Sequence, residues 1–390
     1  MSQLPSDNTA AAPHPGNRYD RMEWAGAFGD LGTLIPFVVT YVGVLRMDPF
    51  GILLGFGACM VACGLFFRTP FPVQPMKAIG AVAAAQAVQT ATVTPAAIHA
   101  AALVTGLVWL VLGATGLSQR VARWVPAPVV TGVVLGLGLG FMLEGVKLMS
   151  TQWLVAAVGG IGTFLLMGNR RFPAMFAVLL FGLVVGAFQN PAALHALSQG
   201  TVTLPRLDLP LAHLTSADLF VGAILLALPQ VPMTLGNAII GITQENNRLF
   251  PHAPLTEGKV SVSTGLMNMF SAFVGGVPMC HGAGGMAGHV AFGARTGGAV
   301  VILGGILLVL AVFFSGSVQS LFGLLPSAVL GVILFITGSQ LAVGAGALGE
   351  DRGQRLVVLA TAAVCLWNVA IGFVVGSVLY VLVSRLHVET

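Results

Sequence analysis

From Ala299 to Phe314 no side chain carries a polar atom, and from Leu325 to Val343 none carries a charge. Stretches of this kind, near twenty residues long, are what a helix needs to cross a hydrocarbon core about 30 Å thick. They recur along the whole chain, which places it in a lipid bilayer and builds it from helices. The composition agrees. Of the 390 residues, 56% are hydrophobic and only 8% are charged, against about 25% charged in soluble domains. The expected class is an all-α membrane protein.

Met1 to Asp20 is polar and lacks the apolar core of a signal peptide, so residues 1–20 read as a loose cytoplasmic tail. The four cysteines, Cys59, Cys63, Cys280 and Cys365, are scattered. They point to helix packing rather than to a disulfide framework. The net charge of +4 comes from basic residues in short separated loops, not from the single patch or stripe that a nucleic-acid partner requires. No cofactor, metal or nucleic acid is expected, and membrane lipid is the expected surrounding.

Apolar runs and turn signals divide the chain into segments near 24–45, 50–67, 76–89, 96–116, 128–148, 152–168 and 173–188. A second set lies near 217–240, 259–276, 281–291, 297–314, 325–346, 355–370 and 371–385. With the N-terminus inside, Arg18, Arg21, Arg68, Arg120, Arg123, Arg170, Arg171, Arg248, Lys259, Arg295, Arg352, Arg355 and Arg385 fall on the cytoplasmic side. Arg46, Lys147 and Arg206 fall outside, and this asymmetry orients the chain with both termini in the cytoplasm.

Seven segments per half make the second half enter from the opposite side, the inverted-repeat plan of many secondary transporters. The first repeat is expected over 21–190 and the second over 217–386, joined by an extracytoplasmic linker at 191–216. Internal similarity supports the duplication. "VPAPVVTGVVLG" at 125–136 resembles "LPSAVLGVILF" at 325–335, and "FPVQPMKAIGA" at 71–81 holds the place of "VPMCHGAGGMA" at 277–287.

The third segment of each half is too short for a full crossing and follows proline: Pro70, Pro72 and Pro75 in one, Pro278 in the other. Each therefore reads as an extended stretch leading into a half-helix that starts inside the membrane. Irregular backbone at that depth must be buried in protein or line a cavity. A helix start there offers unpaired N–H groups and partial positive charge, which suits an anion. Gly282, Gly284 and Gly285 would let a ligand approach the backbone, with tight helix packing as the alternative. Cys280 and His281 offer weak or switchable donors, and Gln74 an amide. Lys77 adds a cation at the same locus, where an intramembrane ammonium marks a substrate path or an ion pair. The alternatives are snorkelling to the surface or pairing with Asp30.

Asp30 and Thr33 in "GAFGDLGTLIP", and Gln230, Thr234 and Asn237 in "ALPQVPMTLGN", are polar groups in Gly- or Pro-interrupted spans. They are expected to line the cavity, with interhelical hydrogen bonding as the alternative for Gln230 and Asn237. Glu144 and Lys147, spaced (i, i+3), read as a local ion pair.

"PVQPMKAIGAVAAA" and "VPMCHGAGGMAGHVAFGARTGG" resemble the two signature stretches of the molybdate transporter family, short relatives of the sulphate permeases. "ALPQVPMTLGNAIIG" is similar to the stretch opening that family's second half. The likeness runs from Glu23 to about Val383. It implies two inverted seven-segment repeats in which a core (21–116 and 217–314) moves against a gate (117–190 and 315–386). It also implies an anion bound by Gln74, Pro75, Met76 and Lys77 together with Cys280, His281, Gly282, Ala283 and Gly284. The chain ends without room for the regulatory domain of the larger permeases.

The expectation is a secondary active importer of a tetrahedral oxyanion, molybdate first and sulphate second, in the cell membrane. No Walker motif supplies ATP chemistry. Moving a dianion inward against about 100 mV costs about 4.6 kcal/mol, at roughly 2.3 kcal/mol per charge, so a coupling ion is needed. Protons are the expected ion, with Asp30 and His281 as carriers. A homodimer stays open. The rivals are an anion channel, a nucleobase symporter of the same fold, and an enzyme using Cys280 and His281 as nucleophile and base.

Overall fold

A computed structural model describes residues 16–43, 45–84, 93–169, 171–198, 210–345 and 351–388. Arg170, Arg206, most of the expected tail, linker residues 199–209 and the end of the third segment at 85–89 lie outside them. Each expected segment is matched by an element. In the first half, segment one is Arg21–Gly43, segment two Pro49–Phe67, segment four Pro95–Ala114, segment five Ala127–Met149, segment six Trp153–Leu166 and segment seven Ala174–Gln189. In the second half, segment eight is Ser216–Leu249, nine Glu257–Phe273, eleven Gly298–Phe314, twelve Ser327–Gly344, thirteen Arg352–Cys365 and fourteen Val369–Val388. Segments three and ten are each a two-residue strand, β1 (Gln74–Pro75) and β2 (Met279–Cys280), followed by a half-helix, Lys77–Ala84 and Ala283–Ala291.

Local chemistry sets the starts. Asp48 and Thr94 cap segments two and four through the N–H groups of Phe50 and Ala97, each with proline at the first helical position, where its missing N–H costs nothing. Thr256 and Asp351 cap segments nine and thirteen in the same way.

Three features depart from the sequence reading. Segments six and thirteen are 14 residues each, about 21 Å at 1.5 Å per residue, so they are shorter than a full crossing. Segment thirteen stops because the chain turns after Cys365, with Asn368 Oδ1 accepting from the Ile371 N–H of segment fourteen. Segment eight is not broken by its prolines. Pro229 and Pro232 sit in a short α stretch, Leu228–Met233, flanked by wider π turns at Val221–Ala227 and Thr234–Gly241. Proline removes i→i−4 bonds, and a shift to i→i+5 pairing keeps the helix continuous around them. Short helices Leu117–Trp124 and Val318–Gly323 also precede segments five and twelve, at equivalent places in the two halves.

The packing pairs the halves reciprocally. Segment two lies against eleven and segment four against nine, while five lies against its own counterpart twelve. β1 pairs with β2 antiparallel, Gln74 opposite Cys280 and Pro75 opposite Met279. Glycines mark the crossings. A Cβ at Gly138 would stand 2.8 Å from the Gly338 carbonyl oxygen and one at Gly145 2.8 Å from that of Gly331, so segments five and twelve run antiparallel with backbones touching. The acidic group near the start of each half also reaches across. Glu23 accepts from the N–H groups of Thr296 and Ala299 at the start of segment eleven, and Asp218 accepts from the hydroxyl of Thr94, the cap of segment four. A two-fold axis in the membrane plane, exchanging the halves, accounts for all of these pairings at once.

The crossing of segments five and twelve supplies a test. Gly145→Val should push the two backbones apart, with an overpacking cost of about 1–3 kcal/mol, read as a lower melting temperature in detergent. Gly162→Val, where a Cβ meets open space, should leave the melting temperature unchanged.

Candidate functional site: two half-helices and a buried lysine

The site is built where β1 and β2 meet. An extended stretch buried in protein needs every backbone group paired. The strands supply part of this, and Met76 N–H donates to the Pro278 carbonyl at 3.0 Å. Asn268 of segment nine supplies more, its amide bonding both the carbonyl (2.6 Å) and the N–H (2.8 Å) of Met279. His281 Nδ1 donates to the Pro72 carbonyl at 2.8 Å, and Ser263 lies 2.9 Å from Nε2. With Nδ1 carrying the proton, Nε2 of the neutral ring accepts from the Ser263 hydroxyl.

Segment eight caps both half-helices. Gln230 Oε1 accepts from Ala78 N–H at 2.9 Å while its amide nitrogen donates to Thr234. Asn237 Oδ1 accepts from Ala283 N–H at 3.3 Å. In the second half-helix the N–H groups of Gly285 and Met286 turn back to the Gly282 carbonyl. Among the described residues, Gly284 N–H is left without a partner.

Asp30, Thr33 and Gln74 form one cluster beneath the strands. The Gln74 amide donates to Asp30 Oδ1 at 2.6 Å and to Thr33 Oγ1 at 2.9 Å, and the Thr33 hydroxyl donates to Asp30. Asp30 Oδ2 and Gln74 Oε1 are buried without partners. A Cβ at Gly282 would collide with Gln74 Oε1, and one at Gly285 would stand 2.9 Å from Asp30 Oδ2. The glycines therefore let this cluster press against the start of the second half-helix.

Lys77 Nζ is buried and accepts neither alternative open to it in the sequence. It does not snorkel, and no ion pair joins it to Asp30 among the described residues. It lies 4.0 Å from the centroid of the Phe141 ring. Lys77 and Thr33 line a cavity of about 540 Å³ with Phe37, Gly136, Gly140, Phe141 and Glu144. A second cavity of about 560 Å³ lies at the other end of segment one, beside Arg18, Arg21 and Arg295. Lys147 pairs with Glu144 at 3.5 Å on an exposed face, as the spacing implies.

Of the residues singled out from sequence, Lys77 and Thr33 reach the cavity, Asp30 and Gln74 stand behind Thr33, and Gly282 and Gly284 lie against Gln74 and the Phe141 ring respectively. Gln230, Thr234 and Asn237 hold the half-helix starts. Pro75, Met76, Cys280 and Ala283 contribute backbone and buried side chains. His281 is turned away, packed on Phe67 and Phe71 with both nitrogens engaged. Cys280 and His281 follow one another across the end of a strand, so their side chains diverge and form no nucleophile–base pair.

Three contributors escaped the sequence. Phe141 looks like any apolar residue of segment five. Asn268 lacks a motif. His289, whose Nδ1 donates to the Gly26 carbonyl at 2.8 Å while Nε2 has no partner, lies at the far end of the second half-helix.

A family model described as "Molybdate transporter of MFS superfamily" matches residues 22–141 and 222–341. The chain is 31% identical to molybdate transporter 2 of Arabidopsis thaliana, over 93% of this chain and 87% of that one. It is 30% identical to molybdate transporter 1 of the same plant, over 91% and 86%. Among solved structures, it is similar in fold to murine Slc26a9, described as an anion transporter in the inward-facing state, with a TM-score of 0.64 and 12% identity over 96% of this chain and 70% of that one. It is also similar to the transmembrane domain of a cyanobacterium bicarbonate transporter, BicA, with a TM-score of 0.52 and 17% identity over 92% and 99%. These relatives are named as transporters, not enzymes. With two matched stretches displaced by 200 residues and a fold of seven paired segments per half, this multi-pass membrane protein belongs to the molybdate transporter family.

Proposed function

We propose that the protein is a secondary active transporter that imports a tetrahedral oxyanion, molybdate before sulphate, across the cell membrane. The observation that carries this reading is the buried Lys77 ammonium, which has no hydrogen-bond or ion-pair partner among the described residues and lines a cavity beside the Phe141 ring. A desolvated cation without hydrogen-bond acceptors is costly, and a dianion with four oxygens supplies both charge and acceptors. The half-helix starts add their dipoles at the same point. The names of the relatives make molybdate the first candidate.

Transport by alternating access is the corresponding mechanism. Segments one to four and eight to eleven form the core that carries both half-helices. Segments five to seven and twelve to fourteen form the gate. Phe141 belongs to the gate while Lys77 and Gly284 belong to the core, so the cavity lies on the moving boundary. The positive-inside rule puts both termini in the cytoplasm and the Glu144 end of the cavity outside. Import of a dianion against the potential is driven by protons. Asp30 is the carrier in this reading, because its buried carboxylate bonds Gln74 of β1 and so connects its charge state to the anion site. His281 is engaged by Pro72 and Ser263 and does not serve as the coupling group in this scheme.

The test is uptake of labelled molybdate into proteoliposomes, with sulphate, tungstate and uracil as competitors and an imposed pH gradient. Saturable uptake that follows the inward proton gradient, and that tungstate blocks better than uracil, is the expected result. Uptake competed only by uracil, or one that never saturates, contradicts the reading. A charge-assisted hydrogen bond contributes about 1.5–3 kcal/mol, so Lys77→Ala should weaken molybdate binding roughly 10- to 150-fold in a folded protein.

Gly282→Ala supplies a second check, since its Cβ must displace Gln74 from Asp30 and Thr33. Molybdate affinity should fall in the protein that remains folded, whereas Gly305→Ala, whose Cβ meets open space, should behave as the parent. A destabilised Gly282→Ala protein with unchanged affinity would show that the glycine serves packing alone.

A further inference from the structure

We propose that the Phe141 ring and the anion compete for the same place against Lys77, so that the ring must swing aside for the anion to bind and one side chain links occupancy to the core–gate boundary. The inference rests on the anion reading above and adds a residue and an event to it.

Three contacts fix the ring. Its face is turned to Lys77, with Nζ 4.0 Å from the centroid. Its edge covers the start of the second half-helix, where a Cβ on Gly284 would overlap the ring. Its Cβ is held from behind, where a Cβ on Gly338 of segment twelve would stand 2.8 Å away. One ring thus packs against both the unpaired ammonium and Gly284, whose N–H has no partner among the described residues. Those are the two groups that an oxyanion would bridge.

The physics favours exchange. A π face attracts an ammonium through its quadrupole but offers no lone pair, so the three N–H groups of Lys77 stay without acceptors. An oxyanion offers full charge and several acceptors, and its bonds are the stronger kind. The ring therefore shields the cation while the site is empty and yields when the anion arrives. Space for the movement is present. Gly136 and Gly140 lie on the same cavity wall as Phe141, and Gly140 has open space where a Cβ would be. Rotation of the ring into that cavity removes a direct contact between segment five and the two half-helices. In a carrier that returns empty, the stack also keeps a bare ammonium from opposing the return step.

The test reads Lys77 directly, whatever the anion. The purified protein is treated with an acetylating amine reagent, and Lys77 modification is followed by mass spectrometry, with the exposed Lys147 and Lys259 as internal references. Phe141→Leu should raise the Lys77 rate several-fold relative to those references, and Phe141→Tyr should keep it at the parental value. Molybdate affinity is measured on the same preparations. Phe141→Leu, with no ring to displace, should bind about two- to fivefold more tightly, as a cation–π contact of ordinary strength implies. If Phe141→Leu does not fold, Phe141→Met carries the same test with a similar volume. An unchanged Lys77 rate, or an affinity that is unchanged or lower in a folded variant, overturns the proposal. Failure of the parent protein to bind molybdate overturns the anion reading instead, while the labelling still reports whether the ring covers the lysine.

Discussion

The structure depends on one antiparallel pairing, β1 with β2, made by two residues from each half of the chain. A helix that begins within a membrane leaves N–H groups unpaired, and the extended backbone before it leaves more. Neither half can satisfy its own stretch. The two stretches satisfy one another and then draw in Asn268, His281, Gln230 and Asn237 for what remains. Much of the polar inventory near the membrane centre is therefore spent on holding two short helices in place. Among the groups left over are the Lys77 ammonium and the Gly284 amide, the two donors that the proposed anion site uses.

That division explains which parts were legible in the sequence. Segment positions were readable because apolar length and flanking caps such as Asp48 and Thr94 are local signals. The half-helices were readable because Pro72, Pro75 and Pro278 forbid a helix where apolar length alone would extend one. Lys77 stood out because a charge in such a segment is rare. The roles of individual polar residues were not readable, because several depend on distant partners, Gln74 on Asp30, Gln230 on Ala78, Asn237 on Ala283 and His281 on Pro72. Gln230 and Asn237 turned out to cap half-helices, a use between the two that their positions suggested. His281 sits inside a signature stretch, yet its ring faces Pro72 and Ser263. Whether a strand residue points into a cavity or away from it changes with a single step along the chain. Phe141 could not be found at all, since its meaning comes from a helix crossing set by Gly138, Gly145, Gly331 and Gly338.

Those glycines connect the fold to the proposed transport cycle. Backbone contact between segments five and twelve fixes the height at which Phe141 meets Lys77, and the same smooth surfaces carry few interlocking side chains. Segments two with eleven and four with nine repeat the arrangement within the other set of segments, through pairs such as Gly57 with Gly304. In the proposed division each set is joined within itself by such crossings, and the second half-helix packs on segment twelve of the other set. A boundary that runs through the proposed anion site is the condition that the proposed alternating access requires.

The most direct test of the central claim is to locate the anion. Tungstate has the shape and charge of molybdate and scatters anomalously, so a crystal of the protein soaked with it reports the position without ambiguity of identity. The account expects one strong peak between Lys77 Nζ and the Gly284 amide, with the Phe141 ring moved off the lysine. A peak confined to the cavity lined by Arg18, Arg21 and Arg295, with Lys77 still beneath the ring, would contradict it.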